Sequence, residues 1–304
     1  MALFNDIIIS VVKVMPERLI WIFSKRYIAG KYLSDAMRVT REFNSQGIKT
    51  TIDLLGEYLT RIERIDSYKK EYLNLIQATS GQNLVNSYSV KPSMFGLLLD
   101  EEMCYRNMHD LVSAAASKER YVRIDMEDSS CTQKEIDLYK RLHSEFPNNV
   151  GIVLQAYLKR TIPDIEDLVR LRPAGSTNIR ICKGIYNEPP EIAYKKMEEI
   201  NSNYLTALEL MFRNDVYAAI ATHDKLLIEG AIRLIKKYNI SNDRCEFQML
   251  YGVTPELRKS VVERGFNMRV YVPYGQDWFN YSTRRLKENP KMVSHIIKAL
   301  FNRG

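Results

Sequence analysis

Glycine-rich nucleotide-binding motifs are missing from this sequence of 304 residues. Its 13 glycines never fall in a G-x-G or a G-x-x-x-x-G-K pattern. The first pattern marks the phosphate-binding turn of a Rossmann domain and the second marks a P-loop, because in both the backbone approaches phosphate closely. A Rossmann domain and a P-loop are therefore not expected, and any nucleotide cofactor must be held in another way.

Cysteine and histidine are scarce and scattered. The four cysteines, Cys104, Cys131, Cys182 and Cys245, lie 27, 51 and 63 residues apart, and none of the four histidines belongs to an H-E-x-x-H motif. Zinc ribbons, dithiol redox motifs and histidine metal sites need closely spaced ligands, so no metal is predicted. Widely spaced cysteines are typical of a reduced compartment, and a cytoplasmic location is predicted.

No hydrophobic run is long enough to cross a membrane. The apolar run at residues 7–12 is followed by Lys13, Glu17 and Arg18, well short of the roughly 18 apolar residues that a span needs. We therefore expect neither a signal peptide nor a transmembrane helix. Residues 1–47 are predicted to form an N-terminal helical segment of amphipathic character, which packs on a domain or lies on a membrane surface.

Positive charge is concentrated near the end of the chain. The net charge is 44 − 37 = +7, and residues 255–304 hold ten Lys/Arg against four Asp/Glu. Such a surface can bind nucleic acid, anionic lipid or an anionic substrate, or it can simply aid solubility. Since the sequence has no recognised nucleic-acid-binding motif, nucleic acid is not predicted as a partner, although a basic binding protein stays open as an alternative.

Short β-rich segments alternate with longer segments of helical periodicity from about residue 48. Eight such units predict an α/β fold, a (β/α)₈ barrel of the TIM type over residues 48–304 with C-terminal helices. An open doubly wound sheet fits less well, because its glycine-rich first turn is absent. The predicted strands are Thr50–Leu54, Leu84–Val90, Tyr121–Asp125, Gly151–Gln155, Asn178–Cys182, Tyr217–Ala221, Glu246–Leu250 and Met268–Val272.

Side chains that titrate or form hydrogen bonds follow the predicted strands, where a barrel places its working residues. They include Lys91, Asp125, Gln155, Lys183, Tyr186, Thr222, His223, Gln248 and Tyr271. Any single one could be structural, since strand ends are generally polar. A lysine at a strand end also suits Schiff-base chemistry, so an aldolase or lyase that uses Lys91 or Lys183 is one interpretation of these residues.

The last predicted helix places four functional side chains on one face. Tyr281, Arg284, Arg285 and Glu288 are spaced i, i+3, i+4 and i+7. Two neighbouring guanidinium groups are suited to hold a carboxylate between them. The alternative is a surface salt bridge between Arg284 and Glu288, which contributes less than about 1 kcal/mol.

Nine motifs, one for each predicted strand and one for the last helix, follow one another in a characteristic order. They are Asp53–Glu57, Ser89–Lys91, Arg123–Asp128, Gln155–Arg160, Arg180–Tyr186, Ala221–His223, Glu246–Gly252, Arg269–Gly275 and Tyr281–Arg285. In this order they resemble the motifs of proline dehydrogenases, in particular the short monofunctional bacterial form. The resemblance covers roughly residues 50–290.

The resemblance implies a role for each matching residue. It assigns catalysis to Lys91, Asp125, Arg284 and Arg285, and substrate binding to Lys91, Tyr186, Leu250, Tyr271, Tyr281, Arg284 and Arg285. It assigns FAD binding to Gln155, Arg180, Lys183, Gly184, Tyr186, Thr222, His223, Gln248 and Glu288. Lys91 and the two arginines would hold the substrate carboxylate.

The resemblance also implies a reaction and its partners. L-Proline would be oxidised to Δ1-pyrroline-5-carboxylate by hydride transfer to flavin N5 of noncovalently held FAD, and a quinone would accept the electrons. Because that acceptor lies in a membrane, the basic C-terminal region suggests peripheral contact with the anionic inner face of the cell membrane. This contact is a hypothesis that rests on the excess of six positive charges in the last fifty residues.

Overall fold

The computed structural model of the protein describes residues 17–279 and 281–282. Within them, eight parallel strands close into a barrel in which each strand pairs with the next and β8 pairs back with β1. The strands are β1 (Lys49–Leu54), β2 (Asn86–Val90), β3 (Val122–Ile124), β4 (Val150–Gln155), β5 (Asn178–Cys182), β6 (Tyr217–Ala221), β7 (Cys245–Leu250) and β8 (Met268–Tyr274). The predicted (β/α)₈ barrel is confirmed, and each predicted strand ends within two residues of the observed one.

Helices alternate with the strands and surround the barrel. They are α1 (Glu17–Ser24) and α2 (Leu33–Asn44) before β1, then α3 (Ile62–Ser80), α4 (Glu101–Ala116), α5 (Ser129–Glu145), α6 (Thr161–Leu168), α7 (Met197–Arg213), α8 (Lys225–Lys237) and α9 (Pro255–Glu263). Helices α4, α5 and α8 begin after Asp100, Asp128 and Asp224, whose carboxylates accept hydrogen bonds from backbone N–H groups of the first turn. None of these helices has the length and apolar character needed to cross a bilayer.

The hydrophobic core lies between the outer face of the barrel and the helices. Buried residues of the strands, such as Ile52, Val90 and Ile124, join buried residues of the helices in one apolar cluster. Helix α7 buries one face, which contains Ile200, Tyr204, Leu208 and Met211, whereas Met197 at its start is 55% exposed. This apolar layer fixes the strands from outside.

Charged side chains fill the inside of the barrel. Arg269 on β8 donates two hydrogen bonds to Glu246 on β7, at 2.5 and 3.0 Å, and a third to the Thr50 carbonyl at 2.9 Å. Arg123 on β3 donates to the Asn178 carbonyl on β5 at 2.8 Å, which it can reach only across the barrel interior. The inner surface is therefore polar well below the mouth.

Inward-facing polar side chains continue along the strands to the mouth of the barrel. Because side chains of a strand alternate between its two faces, a residue two positions after an inward-facing one also points inward. Asp125, Gln248 and Tyr271 each lie two positions after one of the interior charged residues just described. These positions end at the carboxyl-terminal rim, where barrel enzymes carry out their chemistry.

Candidate active site

A cavity of about 540 Å³ opens at the carboxyl-terminal end of the barrel. It is lined by thirteen of the residues that the sequence singled out. They are Lys91, Asp125, Gln155, Arg180, Lys183, Gly184, Tyr186, Thr222, His223, Gln248, Leu250, Tyr271 and Tyr281. The structure therefore brings these side chains to one place, although it does not by itself test the role assigned to each.

Three predicted site residues, Arg284, Arg285 and Glu288, lie outside the residues that the structure describes. Tyr281, from the same predicted helical face, is described; its side chain is buried and lines the cavity. The assignment of the two arginines to the substrate carboxylate accordingly stays a prediction.

Lys91 is held between two carboxylates at the end of β2. Its Nζ lies 2.9 Å from Asp53 Oδ1 and 4.0 Å from Asp125 Oδ2. Burial lowers the pKa of Lys91, but the two carboxylates more than offset this effect, so the pKa is raised above its ordinary value. Lys91 is therefore a fixed cation, whereas a Schiff-base lysine must lose its proton to attack a carbonyl group.

Arg180 is the centre of a buried hydrogen-bond network. Its guanidinium donates to Asp125 Oδ1 at 2.6 Å, to Ser89 Oγ at 3.0 Å and to Gln248 Oε1 at 2.5 Å. Gln248 in turn donates to Glu246 at 2.7 Å, which connects the site to the charged interior of the barrel. Partners on β2 and β7, and Asp125 directly after β3, hold the guanidinium, so its position is fixed before any ligand binds.

Tyr271 and Asp125 connect opposite sides of the mouth. The Tyr271 hydroxyl donates to Asp125 Oδ2 at 2.8 Å and lies 3.4 Å from Lys91 Nζ. The Arg180 guanidinium lies 5.4 Å from the centre of the Tyr271 ring. Burial and the neighbouring carboxylates raise the pKa of Tyr271 well above its ordinary value, so the phenol keeps its proton and remains a hydrogen-bond donor.

The far side of the cavity is lined by residues of β5, β6 and β7. Lys183 pairs with Asp224 at 2.6 Å, at the start of α8. His223 Nε2 accepts a hydrogen bond from the Leu250 backbone N–H at 2.9 Å, which assigns the ring proton of neutral His223 to Nδ1. Gly184 has φ of +104°, a backbone conformation in the left-handed region that favours glycine.

The residues around this cavity fit a flavin. The side-chain oxygen Oε1 of Gln155 is buried and has no hydrogen-bond partner among the described residues, so it can accept from a ring N–H group of a ligand. A Cβ atom on Gly184 would lie 2.1 Å from the Tyr157 ring, so the loop packs more closely than any side chain would permit. Amide, hydroxyl and cationic donors in an otherwise apolar cavity suit a flat heteroaromatic ring that carries polar edges.

Two residues of the network were not predicted as site residues. Asp53 carries the partner carboxylate of Lys91, and Ser89 accepts from Arg180. Both lie in motifs found in the sequence, each one position before the last residue of its strand, Asp53 on β1 and Ser89 on β2. The inward orientation of Ser89 would have followed from its two-residue spacing to Lys91, because side chains two positions apart on a strand face the same side.

Comparisons with known proteins agree with this architecture. Residues 36–298 match the family model described as proline dehydrogenase. The chain is 36% identical over 275 residues to proline dehydrogenase 2 of Bacillus subtilis, covering 90% of this chain and 89% of that protein. It is 30% identical over 293 residues to proline dehydrogenase of Deinococcus radiodurans, covering 95% and 93% of the two chains.

A solved structure supports the fold independently. Proline utilization A from Bdellovibrio bacteriovorus superposes with a TM-score of 0.80 at 23% identity, and the match covers 88% of this chain. It covers 32% of that longer protein, so the present chain corresponds to about a third of its length. At this level of identity the similarity establishes the barrel fold alone.

The closed barrel, the cavity at its carboxyl-terminal end and the curated relatives together define a (β/α)₈-barrel oxidoreductase. Within this class, the chain belongs to the proline dehydrogenase family. The resemblance noted from the sequence is thus confirmed, and FAD is the cofactor of this family. The aldolase or lyase alternative, with Lys91 or Lys183 as the nucleophile, is not supported, because the family model and the curated relatives are proline dehydrogenases.

Proposed function

We propose that this chain oxidises L-proline to Δ1-pyrroline-5-carboxylate in proline catabolism, and that a membrane quinone then takes up the electrons. The observation that carries the proposal is the cavity in which Lys91, Asp125, Arg180 and Tyr271 face one another, in a chain of the proline dehydrogenase family. FAD, when bound, accepts the hydride that leaves the ring carbon next to nitrogen.

The main task of the protein residues is to orient the substrate. Three tyrosine rings and one leucine side chain line the cavity and supply apolar walls for a five-membered ring: Tyr186, Tyr271, Tyr281 and Leu250. A hydride moves only over a short distance. Flat walls that fix the proline ring at that distance therefore supply much of the rate of hydride transfer. We assign the FAD-contacting role to Gln155, Arg180, Lys183, Gly184, Thr222, His223 and Gln248, together with Glu288.

The balance of charges in the cavity supports the proposal that cations other than Lys91 bind the substrate carboxylate. Asp53 and Asp125 lie against Lys91 and Arg180, so these two cations are already matched by two carboxylates. A substrate carboxylate therefore needs further positive charge, and Arg284 with Arg285 are proposed to supply it. Nearby cations also lower the pKa of the proline amine, which must be uncharged when the hydride leaves.

The visible absorbance spectrum tests this function directly. The purified protein is expected to be yellow and to bleach when L-proline is added without oxygen, while glycine, which has the carboxylate but no ring, leaves the spectrum unchanged. A colourless protein, or a yellow one that L-proline does not bleach, would contradict the proposal.

Membrane contact is proposed from the excess of six positive charges over residues 255–304. Basic residues near an anionic surface each contribute about 1 kcal/mol, and salt screens this attraction. The protein should float with vesicles that contain anionic lipid at low salt and separate from them at high salt. Vesicles of neutral lipid are the control, and no flotation with anionic vesicles at low salt would rule out the contact.

A further inference from the structure

The segment between α1 and α2 lies against the loops at the mouth of the barrel. The Ala29 backbone N–H donates to the Pro273 carbonyl at 2.9 Å, and the Gly275 backbone N–H donates to the Gly30 carbonyl at 3.1 Å. These two hydrogen bonds attach residues 29–30 to the end of β8. The chain leaves this end of β8 towards Tyr281.

Helix α1 contacts the turn at residues 275–278, which follows β8, through the aromatic side chain of Trp21. The Trp21 and Trp278 rings lie 4.8 Å apart between centroids, at an angle of 57°. Lys31 Nζ lies 5.0 Å from the Trp21 ring and 5.6 Å from the Trp278 ring. Trp278 is 5% exposed, and the Trp21 ring and the Lys31 ammonium group are among its neighbours.

Helix α3 binds the residue before Trp278 by hydrogen bonds. Asp277 Oδ2 accepts hydrogen bonds from Arg64 Nη2 and from the Tyr68 hydroxyl, both at 2.6 Å. Both donors lie on α3, on the other side of the turn. The turn at residues 275–278 is thus held between the N-terminal segment and α3.

The turn leads directly to Tyr281. Ser282 Oγ donates to the Trp278 carbonyl at 2.8 Å, and the Tyr281 side chain lines the cavity. A displacement of Trp278 would therefore move Tyr281 relative to Tyr271 and Leu250, and a shift of about 1 Å is enough to reduce catalysis strongly.

We infer that Trp21 and Lys31 act as positioning residues of the substrate site, since they fix Trp278 and thereby Tyr281. The inference rests on the proposed function, because it takes Tyr281 as a wall of the proline site. Trp21 touches neither substrate nor cofactor in this role, and it acts only through Trp278.

Trp21 and Trp278 are the two tryptophans of the chain, which permits a direct optical test in the full-length holoenzyme. Trp21→Phe and Trp21→Ala each leave Trp278 as the single tryptophan emitter. The phenylalanine ring preserves the contact, so emission of that variant should stay at short wavelength. Emission of Trp21→Ala should shift to longer wavelength as Trp278 becomes hydrated.

Kinetics separate positioning from mere stabilisation. Trp21→Ala should raise KM for proline about tenfold and lower kcat several-fold with full flavin content, and Trp21→Phe should restore both. Ile22→Ala is the matched control, since Ile22 is 57% exposed on the same helix. If Trp21→Ala does not retain flavin, Trp21→Leu, which keeps most of the volume without a ring, takes its place.

Two results would overturn the inference: unchanged Trp278 emission in Trp21→Ala, or a red shift with wild-type KM and kcat. A lower melting temperature with unchanged kinetics would likewise reduce Trp21 to a structural residue. If the wild-type holoenzyme failed to oxidise proline, the proposed function would be lost, and the fluorescence comparison would still decide whether Trp21 holds the turn.

Discussion

Lys91 and Asp53 form an ion pair at the mouth of the barrel, with Nζ 2.9 Å from Oδ1. The Asp53 side chain is completely buried, and its other oxygen, Oδ2, has no hydrogen-bond partner among the described residues. Burial raises the pKa of Asp53. Lys91 thus supplies the nearest positive charge to a carboxylate that cannot reach water, besides lining the cavity.

Removal of Lys91 is therefore expected to cost stability as well as activity. Lys91→Ala leaves Asp53 buried without a counter-charge, which typically costs about 3–5 kcal/mol. Urea unfolding measures this change. The double variant Lys91→Ala/Asp53→Asn should regain much of the lost stability, because the uncompensated carboxylate is gone. A double variant no more stable than Lys91→Ala would show that the pair is not the cause.

Arg284→Ala and Arg285→Ala are expected to weaken proline binding sharply while bound flavin stays near the wild-type amount. The reason is that a guanidinium holds a carboxylate with paired hydrogen bonds, so its loss removes both affinity and orientation. Steady-state kinetics should show a higher KM and a lower kcat. Arg264→Ala makes the same change of charge at an outer surface pair with Glu229 and should leave both constants unchanged. Wild-type affinity in either arginine variant would refute the clamp.

The Tyr271 hydroxyl can be tested separately from its ring. Tyr271→Phe keeps the ring against Arg180 but removes the 2.8 Å hydrogen bond to Asp125. A hydrogen bond to a charged group contributes about 1.5–3 kcal/mol, so kcat/KM should fall roughly 10- to 100-fold if that bond orients Asp125 for the substrate. Tyr274→Phe is the control on the same strand, since the buried Tyr274 hydroxyl has no hydrogen-bond partner among the described residues. Equal kinetics of the two variants would remove Tyr271 from the orienting group.

The sequence predicted the positions of the strands better than the contacts inside the barrel. Short β-rich runs followed by polar residues locate strand ends, and all eight strands were found in this way. The interior partners of Arg180 and Arg269 were not predicted, because hydrogen bonds such as Arg180–Ser89 join residues 91 positions apart and depend on barrel closure. The ion pair of Lys91 with Asp53 was missed for the same reason, although both residues stand in identified motifs.

The Glu246–Arg269 pair should stabilise the barrel at neutral pH and fail in acid. Burial raises the pKa of Glu246, but the charge and hydrogen bonds of Arg269 outweigh this effect and lower it to about 2. A depressed pKa gives stability that is present above the ordinary value and is lost as the pH falls towards 2. Unfolding at a series of pH values should show Glu246→Gln about 3 kcal/mol less stable near neutrality, with the difference shrinking below about pH 4. A difference that did not change with pH would contradict this assignment.

Glu127 should have the opposite pH dependence. It is fully buried in the loop after β3 and accepts hydrogen bonds from the Ser93 backbone N–H at 2.9 Å and from Ser93 Oγ at 2.6 Å. Burial raises its pKa to about 7, and the hydrogen bonds from Ser93 only partly oppose this. Since the folded state favours the protonated form, the contribution to stability is full below the ordinary pKa and is lost as the pH rises through about 7.

Comparison of wild type with Glu127→Gln isolates this contribution. The free energy of unfolding of the wild type, relative to the variant, should fall by up to about 3 kcal/mol between about pH 5 and pH 8. Glu63→Gln makes the same substitution at an exposed position and serves as the matched control. Parallel pH profiles for wild type and Glu127→Gln would mean that Glu127 is ionised throughout, and that its bonds to Ser93 outweigh the cost of burial.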